Sequence, residues 1–285
     1  MGSGLILKPG SQTTIQDFGR VGSAFYAIPR SGVMDQLTAS MANNLIGNTP
    51  NAPVLECTLR GPTIEFESPV TLAITGADMH WKINGEKIPL NSKHNLKTGD
   101  ILSSAYARDQ LRSYVAIRGQ IETTYHFGSC SSYASAGLGH NQGKALAKGD
   151  YLKWNEVIDN GLPHSILSEI NPPQVITINK GPEYSFLTAE SQNILTQKEF
   201  KLGPTSNRMG ARLLGEKLSL HNILNESVPV LPGFIQLPPS GYPIVVLQEG
   251  QTTGGYPRIA YLNSKDLYSF NRLPIGQPFS FNLFE

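Results

Sequence analysis

Hydrophobic residues along this chain occur mostly in short runs that end at glycine, proline or asparagine. Residues 55–59, 63–66 and 70–74 are three such runs, and their β-branched and aromatic side chains are typical of strands. Asn84-Gly85 predicts a tight hairpin, because both central residues of such a turn need a positive φ. Further strands are predicted at residues 114–118, 175–179, 242–247 and 279–284. The pattern therefore predicts a mainly β protein.

Two segments show the spacing of a helix. Residues 35–46 carry apolar side chains at i, i+4 and i+8, and Asp35 stands where its carboxylate can cap the first free amides. Residues 264–273 predict a shorter helix that Ser264 caps. The apolar residues predicted to face the core are Leu37, Met41 and Leu45 in the first helix and Leu267 and Phe270 in the second.

The composition supports many tight turns around a sizeable core. The 285 residues include 28 glycines and 20 prolines, together about one residue in six, which exceeds the ~12% of an average protein. Hydrophobic residues make up 39% of the chain, charged residues 16%, and the net charge is +1. So small a charge predicts neither a nucleic-acid partner nor an anionic membrane surface. No apolar run approaches the ~20 residues that cross a bilayer.

A proline-rich connector divides the chain into two predicted halves. Residues 159–173 end in Pro172-Pro173 and contain no clear periodicity. We therefore predict an N-terminal half over residues 1–165 and a C-terminal half over residues 170–285. The two halves can be interleaved rather than strictly consecutive.

The spacings of the common metal and nucleophile sites are absent from the sequence. There is no His-Glu-x-x-His, His-x-His or Cys-x-x-Cys, so no metal site is predicted. Neither Gly-x-Ser-x-Gly nor Ser-x-x-Lys occurs, which argues against the common serine nucleophiles. Cys57 and Cys130 are far apart in sequence, and we expect reduced thiols in a cytoplasmic protein.

A small-residue segment, residues 128–143, is predicted to be either a flexible surface loop or a lid, with the lid favoured. Residues 137–144 within and after it are similar to a phosphate-binding loop. They fail the template because the glycine spacing is wrong and Ala145 stands where Ser or Thr would hold magnesium. The backbone amides of this segment remain a candidate anion site.

Three blocks, residues 203–210, 233–241 and 251–260, combine glycines, prolines and uncharged polar side chains. Glycines let the backbone approach a ligand closely, and prolines stiffen a loop. Arg208 adds a planar cation that suits a carboxylate or a phosphate. The predicted strand at residues 242–247 delivers the third block, and loops held by rigid strands commonly carry function.

The polar groups of these blocks suit a small amide that carries a carboxylate. Arg208 would hold the carboxylate, and the amides of Gly254 and Gly255 would stabilise the negative charge that develops on the amide oxygen. The predicted catalytic residues are Thr252, Thr253, Gly254 and Gly255. The predicted substrate-binding residues are Asn207, Arg208, Gln236, Gln251 and Tyr256. The structural alternative is that residues 252–255 form only a hairpin turn and that Arg208 only ties two loops together.

Several motifs in these blocks are characteristic of a known family. They are Ser206-Asn-Arg-Met-Gly-Ala-Arg-Leu, Gly233-Phe-Ile-Gln-Leu-Pro and Gln251-Thr-Thr-Gly-Gly-Tyr-Pro-Arg-Ile-Ala, with Gln16-Asp-Phe-Gly-Arg and Ser31-Gly-Val-Met-Asp nearer the front. The chain resembles, over nearly its whole length, the biotin-dependent carboxyltransferase family. That family includes the C subunit of bacterial 5-oxoprolinase, allophanate hydrolase subunit 2 and an antagonist of a sporulation-kinase inhibitor.

The resemblance implies a mainly β fold made of two cyclophilin-like β-barrel halves with a few short helices. It implies a subunit of an ATP-dependent 5-oxoprolinase that acts with a B-like and an A-like subunit, with ATP bound by or shared with a partner. One alternative is the carboxyltransferase half of a urea-carboxylase or allophanate-hydrolase-like system, in which another polypeptide carries biotin. A second alternative is a non-catalytic regulator that binds a kinase-inhibitor-like B partner.

The chain departs from the family's usual motifs at three places. Glu249-Gly250 stands where the family usually has an aspartate, and Cys130 where it usually has an arginine. Gly139-His140 and Lys144 stand where it usually has paired glycines and an arginine. An arginine replaced by cysteine removes one anion contact, so we expect a divergent member.

Overall fold

The computed structural model describes residues 1–155 and 171–284. Within these residues there are three α-helices, and most of the remaining regular structure is strand. The prediction of a mainly β fold is therefore confirmed. No helix in the described ranges is long and apolar enough to cross a bilayer.

The chain forms two compact units. The first unit comprises Met1–Val21 and Ser31–Asn171, and the second comprises Gly22–Arg30 and Pro172–Glu285. Most of the predicted connector lies outside the residues that the structure describes, and so does the predicted boundary between residues 165 and 170. The division at that boundary stays a prediction.

The first unit consists of two antiparallel sheets. Its strands are β1 (Gly2–Lys8), β2 (Gln12–Gln16), β3 (Val54–Thr58), β4 (Thr63–Phe66), β5 (Val70–Gly76), β6 (Lys82–Ile83), β7 (Glu86–Lys87), β8 (Ser92–Leu96), β9 (Ile101–Ser103), β10 (Arg112–Ile117), β11 (Gln120–Ile121) and β12 (Tyr151–Asn155). Seven strands pair in the order β11-β12-β1-β4-β9-β6-β7 and five in the order β2-β3-β10-β5-β8. Asn84 and Gly85, with φ of 51° and 87°, form the predicted hairpin between β6 and β7.

One hydrophobic core serves both sheets of the first unit. Ile6 and Phe66 from the seven-stranded sheet and Ile15 and Val115 from the five-stranded sheet are fully buried in the same cluster. The Trp154 ring meets the Phe66 ring edge to face at 5.9 Å between centroids. Burial of such side chains, worth about 1.5–3 kcal/mol each, supplies most of the driving force for this unit.

Helix α1 (Gln36–Leu45) forms where the sequence predicts it. The Asp35 carboxylate accepts hydrogen bonds from the Leu37 and Thr38 amides, as an N-cap should. The predicted apolar face was wrong at Leu37, which is 42% exposed, whereas Thr38 and Met41 are buried. The helix packs its small apolar side chains Ala39 and Ala42 in one cluster with Ala73 of β5 and Ala116 of β10.

The second unit is built around a closed barrel. Its strands are β13 (Val175–Lys180), β14 (Glu199–Leu202), β15 (Gly210–Leu214), β16 (Val228–Pro229), β17 (Phe234–Gln236), β18 (Ile244–Val246), β19 (Thr253–Gly254), β20 (Arg258–Tyr261) and β21 (Pro278–Leu283). The barrel order is β13-β20-β17-β18-β15-β14-β21, closed by parallel pairing of β13 with β21. Closure gives both edge strands of the rolled sheet a partner. The first unit, in contrast, arranges its described strands as two sheets.

Aromatic side chains fill part of the second unit's core. Along β14, Phe200 and Leu202 are buried while the alternate residues are exposed, which is the period of two expected of a strand. The Phe279 ring lies 5.2 Å from Phe281 and 5.7 Å from Phe270, both edge to face. The helix that carries Phe270 is thereby anchored to β21.

Two short helices belong to the second unit. Helix α2 (Ala189–Gln197), capped by Thr188, was not predicted, because its apolar residues are too few to produce a clear helical period. Helix α3 (Ser264–Phe270) starts where the sequence predicts it. Its cap is Asn263, whose side chain accepts from the Asp266 amide at 3.0 Å, and not Ser264.

Candidate functional site

A crossover loop, residues 247–257, carries most of the predicted site. It connects β18 to β20, which run in the same direction on either side of β17. The loop leaves beside the start of β17, where the Gly233 amide bonds the Val246 carbonyl, and it ends where the Leu237 amide bonds the Pro257 carbonyl. It must therefore return along the whole length of β17. Pairing of β19 with β16 supports its middle.

The side chain of Gln236 forms hydrogen bonds with two residues of the crossover loop. Its side-chain Nε2 donates to the Tyr256 carbonyl at 3.2 Å, and its Oε1 accepts from Gln251 Nε2 at 3.0 Å. Gln236 is buried, with 2% of its surface exposed. A Cβ on Gly254 would lie 3.2 Å from the side-chain nitrogens of both glutamines, so a larger residue here would push these side chains by a few tenths of an ångström. Gln236, Gln251, Gly254 and Tyr256, which were predicted to belong to one site, therefore lie close together.

Arg208 is buried and already paired with a carboxylate of the protein. Its Nε donates to Glu249 Oε1 at 2.6 Å, and the Glu249 amide donates to the Arg208 carbonyl at 2.9 Å. Glu249 and Gln251 are two residues apart, so their Cα atoms are at most about 7 Å from each other. The structure thus places Arg208 at the entry of the crossover loop, with Glu249 as the partner that the sequence did not reveal.

The loop ends in a second ion pair, which the sequence did not indicate. Glu183 Oε1 accepts from Arg258 Nη2 at 2.8 Å, and Oε2 accepts from Arg258 Nε at 3.0 Å and from the Arg258 amide at 2.9 Å. Arg258 Nη1 donates to the Pro229 carbonyl at 2.8 Å. Hydrogen bonding to the Arg258 side chain lowers the pKa of Glu183, although partial burial acts in the opposite direction.

The predicted residues differ in their access to solvent. Thr252 and Gly254 are half-buried, and the exposed members of the set are Asn207, Gln251, Thr253, Gly255 and Tyr256. The Asn207 side-chain oxygen accepts from the Met209 and Gly210 amides at 2.8 and 3.2 Å. Asn207 therefore shapes the turn before β15, which is a structural role beside its predicted one.

A cavity of about 470 Å³ in the second unit lies next to this site. Its wall includes Lys180, Pro182, Leu231 and Phe234, and none of the predicted site residues contributes to it. Six of the nine predicted site residues lie on the crossover loop instead, and the other three are Asn207, Arg208 and Gln236.

The first unit contains a buried polar centre around Asp17. The Asp17 carboxylate accepts from the hydroxyls of Ser129 and Ser131 at 2.5 Å each, and from the amides of Cys130 and Gly19 at 2.9 Å each. Burial alone would raise the pKa of Asp17, but these four hydrogen bonds lower it below its ordinary value. Cys130 is fully buried, and this burial, with Asp17 beside it, raises the pKa of its thiol.

This centre corrects the interpretation of residues 128–143. Ser129, Cys130, Ser131 and Ser132 are buried, and the Ser132 amide donates to the carbonyl of Ile15 on β2. The front of the segment is therefore fixed in the core, not a surface loop or a lid. The signal that could have indicated this was the run of small residues, which suits close packing against a strand.

The phosphate-loop-like segment uses its own backbone donors internally. The Gly139 amide donates to His126 Nδ1 at 3.3 Å, the Leu138 amide to the Tyr133 carbonyl, and the Lys144 amide to the Asn141 carbonyl. An anion would have to displace these bonds to use the amides of Leu138, Gly139 or Lys144.

The fold and the site together define a class of protein: a two-unit β protein whose glycine-rich crossover loop is fixed by glutamines and ion pairs. The model of the carboxyltransferase domain, subdomains A and B, matches residues 26–283. This match covers most of the chain, and the chain belongs to that carboxyltransferase family.

Individual relatives extend the likeness over the whole chain. The chain is 34% identical to the C subunit of 5-oxoprolinase from Escherichia coli (strain K12) and 32% identical to the same-named protein of Haemophilus influenzae. Each match covers 97% of this chain and 89% of the relative. The crystal structure of the K. lactis urea amidolyase superposes with a TM-score of 0.88 at 26% identity over 99% of this chain. This chain spans only 19% of the urea amidolyase chain.

Proposed function

We propose that this chain is a subunit of an ATP-dependent 5-oxoprolinase that opens 5-oxo-L-proline to L-glutamate with a B-like and an A-like subunit. The observation that carries the proposal is the 34% identity to the C subunit of 5-oxoprolinase over 97% of this chain and 89% of the relative. A likeness over nearly the full length of both proteins supports a common role for the whole subunit, not for one shared motif.

The proposed reaction adds water across the lactam bond. The hydroxyl adds to the carbonyl carbon, the C–N bond breaks, and the proton goes to the ring nitrogen, which gives the second carboxyl group and the amine of glutamate. The lactam is stable, so its opening is coupled to hydrolysis of ATP. In the proposal, the exposed Gly255 offers its amide to the carbonyl oxygen as negative charge develops on it, whereas the half-buried Gly254 pairs with Val228 across β16 and β19 and holds this donor in place.

Hydroxyls and amides next to these glycines complete the proposed contacts. Thr252 and Thr253 supply hydroxyl donors. Gln251 is exposed beside them, and its side-chain nitrogen donates to Gln236. The exposed Tyr256 ring would form one wall. Support for this arrangement comes from the two contacts of Gln236, which fix the loop on both sides of the glycines.

We assign the ATP to a partner subunit or to a site shared with one. The segment of this chain that is most similar to a phosphate loop engages the amides of Leu138, Gly139 and Lys144 in its own structure. These three amides are therefore not free to cradle a phosphate, and Ala145 stands where a phosphate loop has Ser or Thr. This subunit would contribute the lactam site and its orientation, and we propose that it acts only in the complex.

The function is tested by combining the chain with candidate B-like and A-like subunits and measuring glutamate release from 5-oxo-L-proline with ATP. We expect release only when all subunits are present. A complete set of purified, associated subunits that releases no glutamate would overturn the proposal. The matched arm replaces 5-oxo-L-proline with urea and bicarbonate and adds a biotin-carrying polypeptide.

The carboxyltransferase half of a urea-carboxylase-like system is the second candidate. Two observations favour it: the family model itself and the TM-score of 0.88 with the K. lactis urea amidolyase. Biotin in such a system would be carried by another polypeptide. Transfer of a carboxyl group from biotin in the second arm of the assay, without glutamate release in the first, would select this function.

The role of Arg208 is separated from that of its partner by two variants. Arg208→Ala removes the predicted carboxylate contact, worth about 1.5–3 kcal/mol, so we expect KM for 5-oxo-L-proline to rise about tenfold or more. Glu249→Gln keeps the guanidinium and weakens only the 2.6 Å pair. A KM that rises equally in both variants would show that Arg208 only fixes the loop.

A further inference from the structure

The exit of the crossover loop is fixed by a side chain from a distant part of the chain. Glu183 precedes a short 3₁₀ turn at Tyr184–Phe186 and is 75 residues from Arg258 in sequence. Its carboxylate accepts three hydrogen bonds from Arg258, and one of them comes from the main-chain amide. Glu183 therefore fixes the backbone of the residue that follows Pro257, as well as its side chain.

Arg258 passes this constraint to the middle of the loop. Its Nη1 donates to the carbonyl of Pro229, and Pro229 pairs with Thr253 across β16 and β19. The guanidinium also lies over the Phe234 ring, 5.3 Å from the centroid. From Glu183 to Thr253 there are thus only two intermediates, Arg258 and Pro229.

The backbone around Glu183 is built for close approach to Arg258. The Glu183 amide donates to the Arg258 carbonyl at 3.2 Å, and the Gly181 amide donates to the Ile259 carbonyl at 3.1 Å. A Cβ on Gly181 would collide with the Arg258 carbonyl oxygen, so only glycine permits this spacing. Both main-chain and side-chain contacts join the two segments.

We propose that Glu183 is a positioning residue: through Arg258 and Pro229 it holds residues 252–255 in one conformation before substrate arrives. Thr253 and Gly255 are exposed to solvent. Gln236 bonds to Gln251 and Tyr256 on either side of them, and Glu183 bonds to Arg258 at the end of the loop. Donors held in this way lose little entropy when charge develops on a bound carbonyl oxygen. The catalytic consequence rests on the proposed function, whereas the effect on the loop does not.

The effect on the loop is tested by amide hydrogen exchange in the full chain. Glu183→Ala removes all three acceptor contacts. We expect exchange to accelerate about tenfold or more at two amides: that of Val230, which donates to the Thr252 carbonyl, and that of Gly254, which pairs with Val228, while β14 and β21 are unchanged. Glu183→Gln keeps one carbonyl oxygen for the Arg258 amide, so a smaller acceleration is expected. The control is Glu216→Ala, which removes an exposed ion pair with Lys198 in the same unit.

Loop exchange that is unchanged in both Glu183 variants would overturn the proposal, and so would an equal acceleration in every strand. If Glu183→Ala does not fold, Glu183→Gln decides the outcome by itself, since it retains the shape of the side chain. Acceleration confined to the loop supports positioning whether or not the enzyme function is correct.

The catalytic consequence is tested in the assembled complex with 5-oxo-L-proline and ATP. We expect Glu183→Gln to lower kcat about tenfold with little change in KM, because the donors are displaced in the transition state more than in the substrate complex. A raised KM with unchanged kcat would assign the pair to substrate binding and overturn this role. A wild-type complex without turnover refutes the proposed function, while the exchange result still decides on positioning.

Discussion

Asp17 in the first unit and Glu183 in the second are two shielded carboxylates that the protein stabilises by opposite means. Asp17 is surrounded by neutral donors, two serine hydroxyls and two main-chain amides. Glu183 faces a guanidinium and a main-chain amide of one residue, Arg258. Both have a lowered pKa, so both are ionised at neutral pH.

The difference shows what each carboxylate organises. The donors around Asp17 belong to the end of β2 and to residues 129–131, more than 100 residues away, so Asp17 joins two backbone segments in the core. Glu183 instead joins its own turn to the end of the crossover loop, through the Arg258 side chain, which is 13% exposed. Removing Asp17 leaves the fully buried donors of Ser129, Cys130 and Ser131 without this acceptor, whereas removing Glu183 leaves a cation that is 13% exposed.

The largest expected effect is that of Asp17→Ala. The buried Cys130 amide and the buried Ser129 and Ser131 hydroxyls would lose their acceptor, and buried donors without partners cost about 1–3 kcal/mol each, so we expect the free energy of unfolding to fall by about 3–5 kcal/mol. Urea denaturation measures this. Asp100→Ala is the control, because Asp100 also accepts from an amide and an asparagine but is exposed. A loss no greater than that of the control would refute the role of Asp17.

Acidification is expected to weaken both centres, because both carboxylates have a folded pKa below the unfolded one. Their contribution to stability is complete above the unfolded pKa, near 4, and is lost as pH falls through the lowered folded pKa. A difference of one between the folded and unfolded pKa corresponds to about 1.4 kcal/mol. Urea unfolding between neutral pH and pH ~3 measures it. The stability difference between wild type and Asp17→Asn should shrink on acidification, and a constant difference would contradict the assignment.

Salt separates the two centres. Raising the ionic strength from about 0.1 to 1 M shortens the Debye length from about 10 to 3 Å, which weakens an ion pair only as far as it reaches solvent. The Arg258 and Glu183 side chains are 13% and 10% exposed, so the expected screening is modest. We expect the destabilisation by Glu183→Ala, about 1.5–3 kcal/mol at low salt, to become smaller. The destabilisation by Asp17→Ala should stay the same, since its donors are neutral. Equal salt dependence of the two destabilisations would show that the charge of the partner does not distinguish Glu183 from Asp17.

The smallest expected effect is that of Glu216→Ala. Lys198 Nζ lies 3.2 Å from Glu216 Oε1, but both side chains are more than half exposed. Exposed pairs of this kind contribute about 0–1 kcal/mol, so we expect a change in unfolding free energy of less than about 0.5 kcal/mol. A loss as large as that of Glu183→Ala would show that exposure does not distinguish the two pairs.

Part of the candidate site was predictable from neighbouring residues. Gln236 and Gln251 were predicted to belong to one site, and the structure places Gln236 in contact with both Gln251 and the Tyr256 carbonyl. The two glycines were predicted to offer free main-chain donors, but Gly254 pairs with Val228, which leaves Gly255 as the exposed one. The partner of Arg208 was not predictable, because a sequence shows a cation without showing which carboxylate meets it. Glu249 meets it because β15 and β18 pair in a particular register.

The sequence by itself determined the mainly β fold, the Asn84-Gly85 hairpin, the cap of α1 by Asp35 and membership of the carboxyltransferase family. These features depend on residues close together in the chain, whose conformational preferences act locally. Only the tertiary structure decided that Glu183 binds Arg258, 75 residues away, and that Asp17 binds Ser131, 114 residues away. Such pairs depend on which strands become neighbours, and burial then makes one specific partner necessary for each charge.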